Sequence, residues 1–147
     1  MNNIADISEI IYRLRGSQIQ KYTLGSGTLR LVLFTSVSNF LKPPSACINL
    51  VLTPCPEIYY LSYTQVLEAR IAQHDLEQIF GKGLMIQGVE QTSKTHLIIY
   101  CNSYQNTLEA GELHLEAANW QLYDAEFGRI SFAAFCQASD KSGYPFK

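Results

Sequence analysis

The sequence predicts an α+β fold. It should hold one mainly antiparallel sheet of about seven or eight strands, curved or closed into a two-sheet sandwich, with an N-terminal helix and one short further helix. Three observations lead there. Beyond Gly16 the apolar residues recur with a period of two, and the runs are broken by Gly, Pro, Asn and Ser. Charged residues make up 16% of the 147 residues, against about 25% in an ordinary soluble domain. Their place is taken by uncharged polar residues, nine Tyr and seven Phe, a mixture that suits half-buried strands better than solvated helices. The apolar share of 47% is enough for a core, and the length fits a single domain.

Residues 4–15 read as the helix, because Ile4, Ile7, Ile10, Ile11 and Leu14 fall on one face. Asn2 or Asn3 can cap its start, and Gly16 stands where a helix-ending glycine belongs. Ile19, Tyr22 and Leu24 then lead through the turn Gly25-Ser26-Gly27 into an alternating strand over 28–37, forming a hairpin. Lys42-Pro43-Pro44 marks a loop, since proline cannot donate to a sheet ladder. Strands follow at 46–53 and 57–63, separated by Pro54-Cys55-Pro56. Residues 64–73 fit either a helix, with Val66, Arg70 and Gln73 on one face, or a strand, with Leu67, Ala69 and Ile71 alternating, and the strand is the favoured reading. Residues 74–80 read as the short helix, ended by Gly81-Lys82-Gly83. The last third reads as an antiparallel meander with strands at 84–90, 95–102, 112–123 and 129–137.

The opening residues Met1-Asn-Asn-Ile-Ala-Asp show neither a basic nor an apolar leader region, and no apolar run is long enough to span a bilayer. A cytoplasmic protein with no membrane association is expected. Cys47, Cys55, Cys101 and Cys136 form no C-x-x-C pair and read as reduced thiols, with a Cys47–Cys55 disulfide as the alternative. The net charge is −2, and the eleven Lys and Arg are scattered, which argues against nucleic acid as the partner.

Phosphate-cradling and dinucleotide glycine motifs are absent, as are G-x-S-x-G and H-E-x-x-H. His74, His96 and His114 with the four cysteines show no paired local spacing of the kind structural zinc uses, so neither metal nor cofactor is expected. His96 and His114 would meet only if a hairpin register brought them together. No catalytic constellation stands out. An enzyme or ligand-binding sheet with an aromatic-lined pocket near one of these histidines is the alternative to a binding protein.

Charge is distributed unevenly. Residues 1–73 carry six basic and four acidic residues, a balance of +2, whereas residues 74–147 carry five and nine, a balance of −4. From Glu109 to Glu126 there are five acids (Glu109, Glu112, Glu116, Asp124 and Glu126) and no Lys or Arg. Alternation puts Glu112, His114 and Glu116 on one strand face, which reads either as an ordinary solvated face or as a recognition surface for a basic protein. Trp120 and Tyr123 are the nearby aromatic anchors for the second reading, although Trp120, the single Trp, fits the core equally well.

The stretches Thr95–Cys101, Gly111–Trp120 and Leu122–Asp124 resemble, in style, small bacterial immunity proteins, the antidotes encoded beside polymorphic or contact-dependent toxins. The resemblance spans about residues 84–138 and rests on length, acidity and Tyr/Trp-rich antiparallel strands. It implies a non-enzymatic inhibitor that offers an acidic surface to a basic toxin domain, with Glu109, Glu112, Glu116, Trp120, Tyr123, Asp124 and Glu126 as candidate contacts.

Overall fold

The computed structural model describes residues 4–54, 57–62, 73–81, 83–103 and 110–143. The order is α1 (Ile4–Arg13), β1 (Gln18–Gly25), β2 (Thr28–Phe34), a 3₁₀ turn (Ser36–Phe40), β3 (Ile48–Thr53), β4 (Glu57–Ser62), α2 (Leu76–Phe80), β5 (Leu84–Gln91), β6 (His96–Ser103), β7 (Ala110–Glu116), β8 (Asn119–Tyr123), β9 (Arg129–Ile130) and α3 (Phe132–Lys141). The strands make one sheet in the order β4-β7-β6-β5-β1-β2-β3-β8-β9. Every strand pairing in it is antiparallel. The α+β reading therefore holds, with nine strands.

Chain connectivity sets the shape. β7 and β8 are second and eighth in the sheet, so in a flat sheet they would lie roughly 29 Å apart at ordinary strand spacing. Only Ala117 and Ala118 join them, and three residue steps reach about 11 Å at most. The sheet must curl to bring its two flanks together. The seam is between β1 and β5, which share only the pairs Gln18↔Met85 and Ile19↔Leu84.

Helix α1 lies inside the curl and packs on β5, β8 and α3. Its buried face is Ile7, Ile10, Ile11 and Leu14, each contributing about 1.5–3 kcal/mol of transfer free energy. Gly16, at φ 86°, turns the chain out of the helix in a conformation that favours glycine. Its N–H donates to the Ile86 carbonyl at 2.7 Å, and the Ile86 N–H donates back to Ser17 at 2.9 Å. The helix exit and the seam are thus one structure. Leu29, Leu31 and Leu33, with Ile48, Leu50, Leu52, Leu97, Ile99, Leu113 and Leu115, belong to the same core.

Several expectations are corrected. Residues 112–123 are not one strand: the chain breaks at Ala117-Ala118, and β8 joins β3 rather than continuing the meander. Residues 129–137 are not a strand either. After the two residues of β9, Ser131 accepts the Ala134 N–H at 3.1 Å and starts α3. The serine cap and an alanine-rich helical period, with Phe135, Ala138 and Ser139 buried, outweigh the local alternation. The second strand of the hairpin, expected over 28–37, ends at Phe34, where Thr35 caps the 3₁₀ turn through the Val37 N–H. Of the strand expected at 64–73, only Gln73 lies among the described residues, where it bridges Tyr60. Cys47 is a free thiol, and Cys55 lies outside the described residues. Among the described residues no helix is long and apolar enough to cross a membrane.

Two predictions follow from this packing. A Cβ on Gly111 would sit 2.5 Å from the Leu61 carbonyl oxygen and 2.5 Å from the Tyr60 ring. Gly111→Ala should therefore cost about 1–3 kcal/mol, as overpacking does, read as a lower denaturant midpoint. Burial raises the Cys101 thiol far above its ordinary range, while Cys47 and Cys136 are only half-buried. In the native protein a thiol reagent should label Cys47 and Cys136 and spare Cys101 until denaturant is added.

Candidate functional site

The flank made of β4, β7, β6 and β5 has a core face and an outward face, set by the two-residue period. On β7 the core takes Leu113 and Leu115, so Glu112, His114 and Glu116 point outward. The register brings Tyr59 beside His114 and Glu57 beside Glu116 on one side. On the other side it brings His96 beside Glu116 and Tyr100 beside Glu112. Glu90 is on the same face of β5, where its carboxylate accepts the Tyr100 hydroxyl at 2.7 Å. The strands β4, β5, β6 and β7 contain four acids (Glu57, Glu90, Glu112 and Glu116), all outward, and neither Lys nor Arg.

Four of these side chains join in a row across β6 and β7. His96 Nδ1 donates to Glu116 Oε1 at 3.0 Å, and His114 Nε2 donates to Glu112 Oε1 at 2.9 Å. The two inner nitrogens, His96 Nε2 and His114 Nδ1, are 2.9 Å apart. Thr95 Oγ1 donates to the second oxygen of Glu116 at 2.8 Å. Tyr59 stacks on His114 with ring centroids 4.6 Å apart and planes 9° from parallel. His114 is consequently buried, at 8% exposure. An ordinary solvated face does not bury its central side chain.

Hydrogen-bond accounting constrains the charge of the row. An ionised carboxylate only accepts, so each outer ring nitrogen carries a proton. Two neutral imidazoles bring two N–H groups, and both are already committed to carboxylates. The inner contact would then set two lone pairs against each other. It is satisfied by an added proton or by another cation that accepts both lone pairs. The hydrogen bonds from His96 and then Thr95 hold the Glu116 carboxyl below the usual carboxylate range. Burial first, then the carboxylates of Glu57, Glu112 and Glu116, pushes the Tyr59 hydroxyl up.

The residues singled out from sequence are dispersed. Glu112 and Glu116 are in the row, and Glu109 lies outside the described residues. Trp120 is 1% exposed and packs edge-on against Phe132. It is a core side chain, because position 120 has the core parity of β8 along with Leu122. It therefore cannot serve as a surface anchor. Tyr123, Asp124 and Glu126 belong to the other flank, on β8 and the turn after it, with five strands between β8 and β7 in sheet order. There Asp124 Oδ1 accepts the N–H groups of Glu126 and Gly128 at 2.9 and 2.8 Å, closing the turn between β8 and β9. Tyr59, Glu57, Tyr100 and Glu90 were not picked out. Their signal was the same two-residue alternation on strands outside the acidic run.

None of the described cavities is lined by a histidine. One of about 120 Å³ lies between the 3₁₀ turn and α3, with Phe40, Lys42, Arg129 and Lys141 among its walls. Comparison with protein-family models, curated proteins and solved structures returns no match.

If the row is a built unit, His114→Ala should cost about 1–3 kcal/mol, since it strands a half-buried carboxylate and a neighbouring imidazole. A double-mutant cycle with His96→Ala should give a coupling of at least about 0.5 kcal/mol. Additive effects would mean the two rings do not interact.

Proposed function

We propose that this chain is a non-enzymatic binding protein that docks a basic protein partner on the outward face of β4, β7, β6 and β5. It would act in the cytoplasm as an immunity-type inhibitor of a toxin domain. The observation that carries the reading is the sign of that face: Glu57, Glu90, Glu112 and Glu116 lie on it, and its four strands contain no Lys or Arg. Carboxylates arranged this way speed encounter with a basic surface and reject acidic ones. Tyr59 and Tyr100 replace Trp120 as the aromatic contacts, because they stand among the acids with half-buried rings. Such rings contribute contact area at low entropic cost. The row through His96 and His114 holds Glu112 and Glu116 in place, which lowers the ordering cost of binding. The alternative, a ligand pocket around a histidine, has less support, since both histidines are hydrogen-bonded into the row and none of the described cavities reaches them.

The test uses Glu57→Lys with Glu90→Lys, two exposed positions outside the row. Tagged wild-type protein should retain one stoichiometric basic protein from source lysate at low salt and release it at high salt. The double variant should fold normally and bind that partner at least tenfold more weakly. Undiminished affinity in the variant would remove the acidic face from the account.

A further inference from the structure

We propose that the gap between His96 Nε2 and His114 Nδ1 is a binding site for a divalent transition metal of the zinc class. The two imidazoles would be its protein ligands, and its remaining coordination positions would be open to water. The inner nitrogens converge at 2.9 Å, and with a proton on each outer nitrogen each inner one has a lone pair to offer. The tautomers that leave those nitrogens bare are fixed from behind, by Glu116 on His96 and Glu112 on His114. A carboxylate on the far nitrogen is what metal-ligating histidines almost always have, because it orients the ring and makes the free nitrogen a better donor.

The electrostatics agree. Glu57 is paired in register with Glu116, so three carboxylates lie near the gap. Imidazole nitrogen favours zinc, copper or nickel over calcium or magnesium, which take oxygen ligands. Zinc–nitrogen bonds of 2.0–2.1 Å at a tetrahedral angle set the two nitrogens about 3.4 Å apart. The rings must therefore part by about half an ångström and tilt until both lone pairs point at the metal, and the His96 side chain, 19% exposed, borders the solvent into which it would turn. Among the described residues no group of three or more His, Cys, Asp or Glu side chains converges as a ready cage. The chain thus supplies two ligands, and the site stays open on its solvent side.

The experiment titrates Zn²⁺ alone into metal-stripped full-length protein by calorimetry, then maps Co²⁺ by paramagnetic broadening of amide resonances. The expected result is one equivalent bound, with broadening centred on β6 and β7 around residues 96 and 114. His96→Gln should weaken binding at least tenfold. Glu116→Gln should weaken it about 10–100-fold, as loss of a supporting carboxylate does. Cys47→Ser with Cys136→Ser should leave it unchanged. Absence of binding at millimolar Zn²⁺ would overturn the proposal. Binding that survives His96→Gln and is lost with the cysteines would overturn it too. If circular dichroism shows His96→Gln unfolded, Glu116→Gln decides, since that carboxylate is at the solvent-facing end of the row.

Discussion

The two-residue link between β7 and β8 is the constraint on which the rest of the structure depends. It ties together strands that stand second and eighth in the sheet, and no flat arrangement can satisfy it. The sheet therefore curls, and curling creates a concave apolar interior that must be filled. Helix α1 fills it with Ile7, Ile10, Ile11 and Leu14, and its exit at Gly16 is bonded directly to the β5 side of the seam. A local feature of two alanines and a global feature of nine strands thus require each other. The short β1–β5 pairing is the natural place for the bend, since few ladder bonds have to follow it.

Curling also separates the surface into two flanks with different chemistry. One outward flank gathers glutamates, tyrosines and two histidines with no basic residue in its strands. The other carries Arg30, whose guanidinium lies over the exposed Phe127 ring at 5.2 Å, together with Tyr123 and the Asp124 turn. The acidic run in the sequence passes from one flank to the other through the two-alanine link. It is continuous along the chain and divided in space. The binding face is built instead by register, which draws Glu57 and Tyr59 from β4 and His96 and Tyr100 from β6 to the glutamates of β7. Because these groups are locked to one another, the face is largely preformed, and a partner would meet it without having to order it first.

Much of the fold was legible because its signals are local. The helix of residues 4–13, the hairpin through Gly25-Ser26-Gly27 and the strands β3, β5 and β6 follow from periodicity and turn residues. The failures have physical causes. Ala117-Ala118 carries no turn signature, so two strands read as one. Phe132–Lys141 alternates well enough to pass for a strand until the Ser131 cap is weighed. Trp120 looked like an anchor because its identity was read before its parity, and parity places it with Leu122 in the core. For the site, Glu112 and Glu116 were visible in the sequence, whereas the meeting of His96 and His114 was not. That contact is a diagonal neighbour relation across β6 and β7, and it exists only once the register is fixed.

The most direct measurement is the ring-nitrogen NMR spectrum of His96 and His114 in metal-stripped protein near neutral pH. The account predicts a proton fixed on His96 Nδ1 and on His114 Nε2, each protected from exchange, with a through-space contact between the two rings. Rapidly exchanging rings with averaged tautomers and no mutual contact would contradict the register, the carboxylate–imidazole row and the preformed face together.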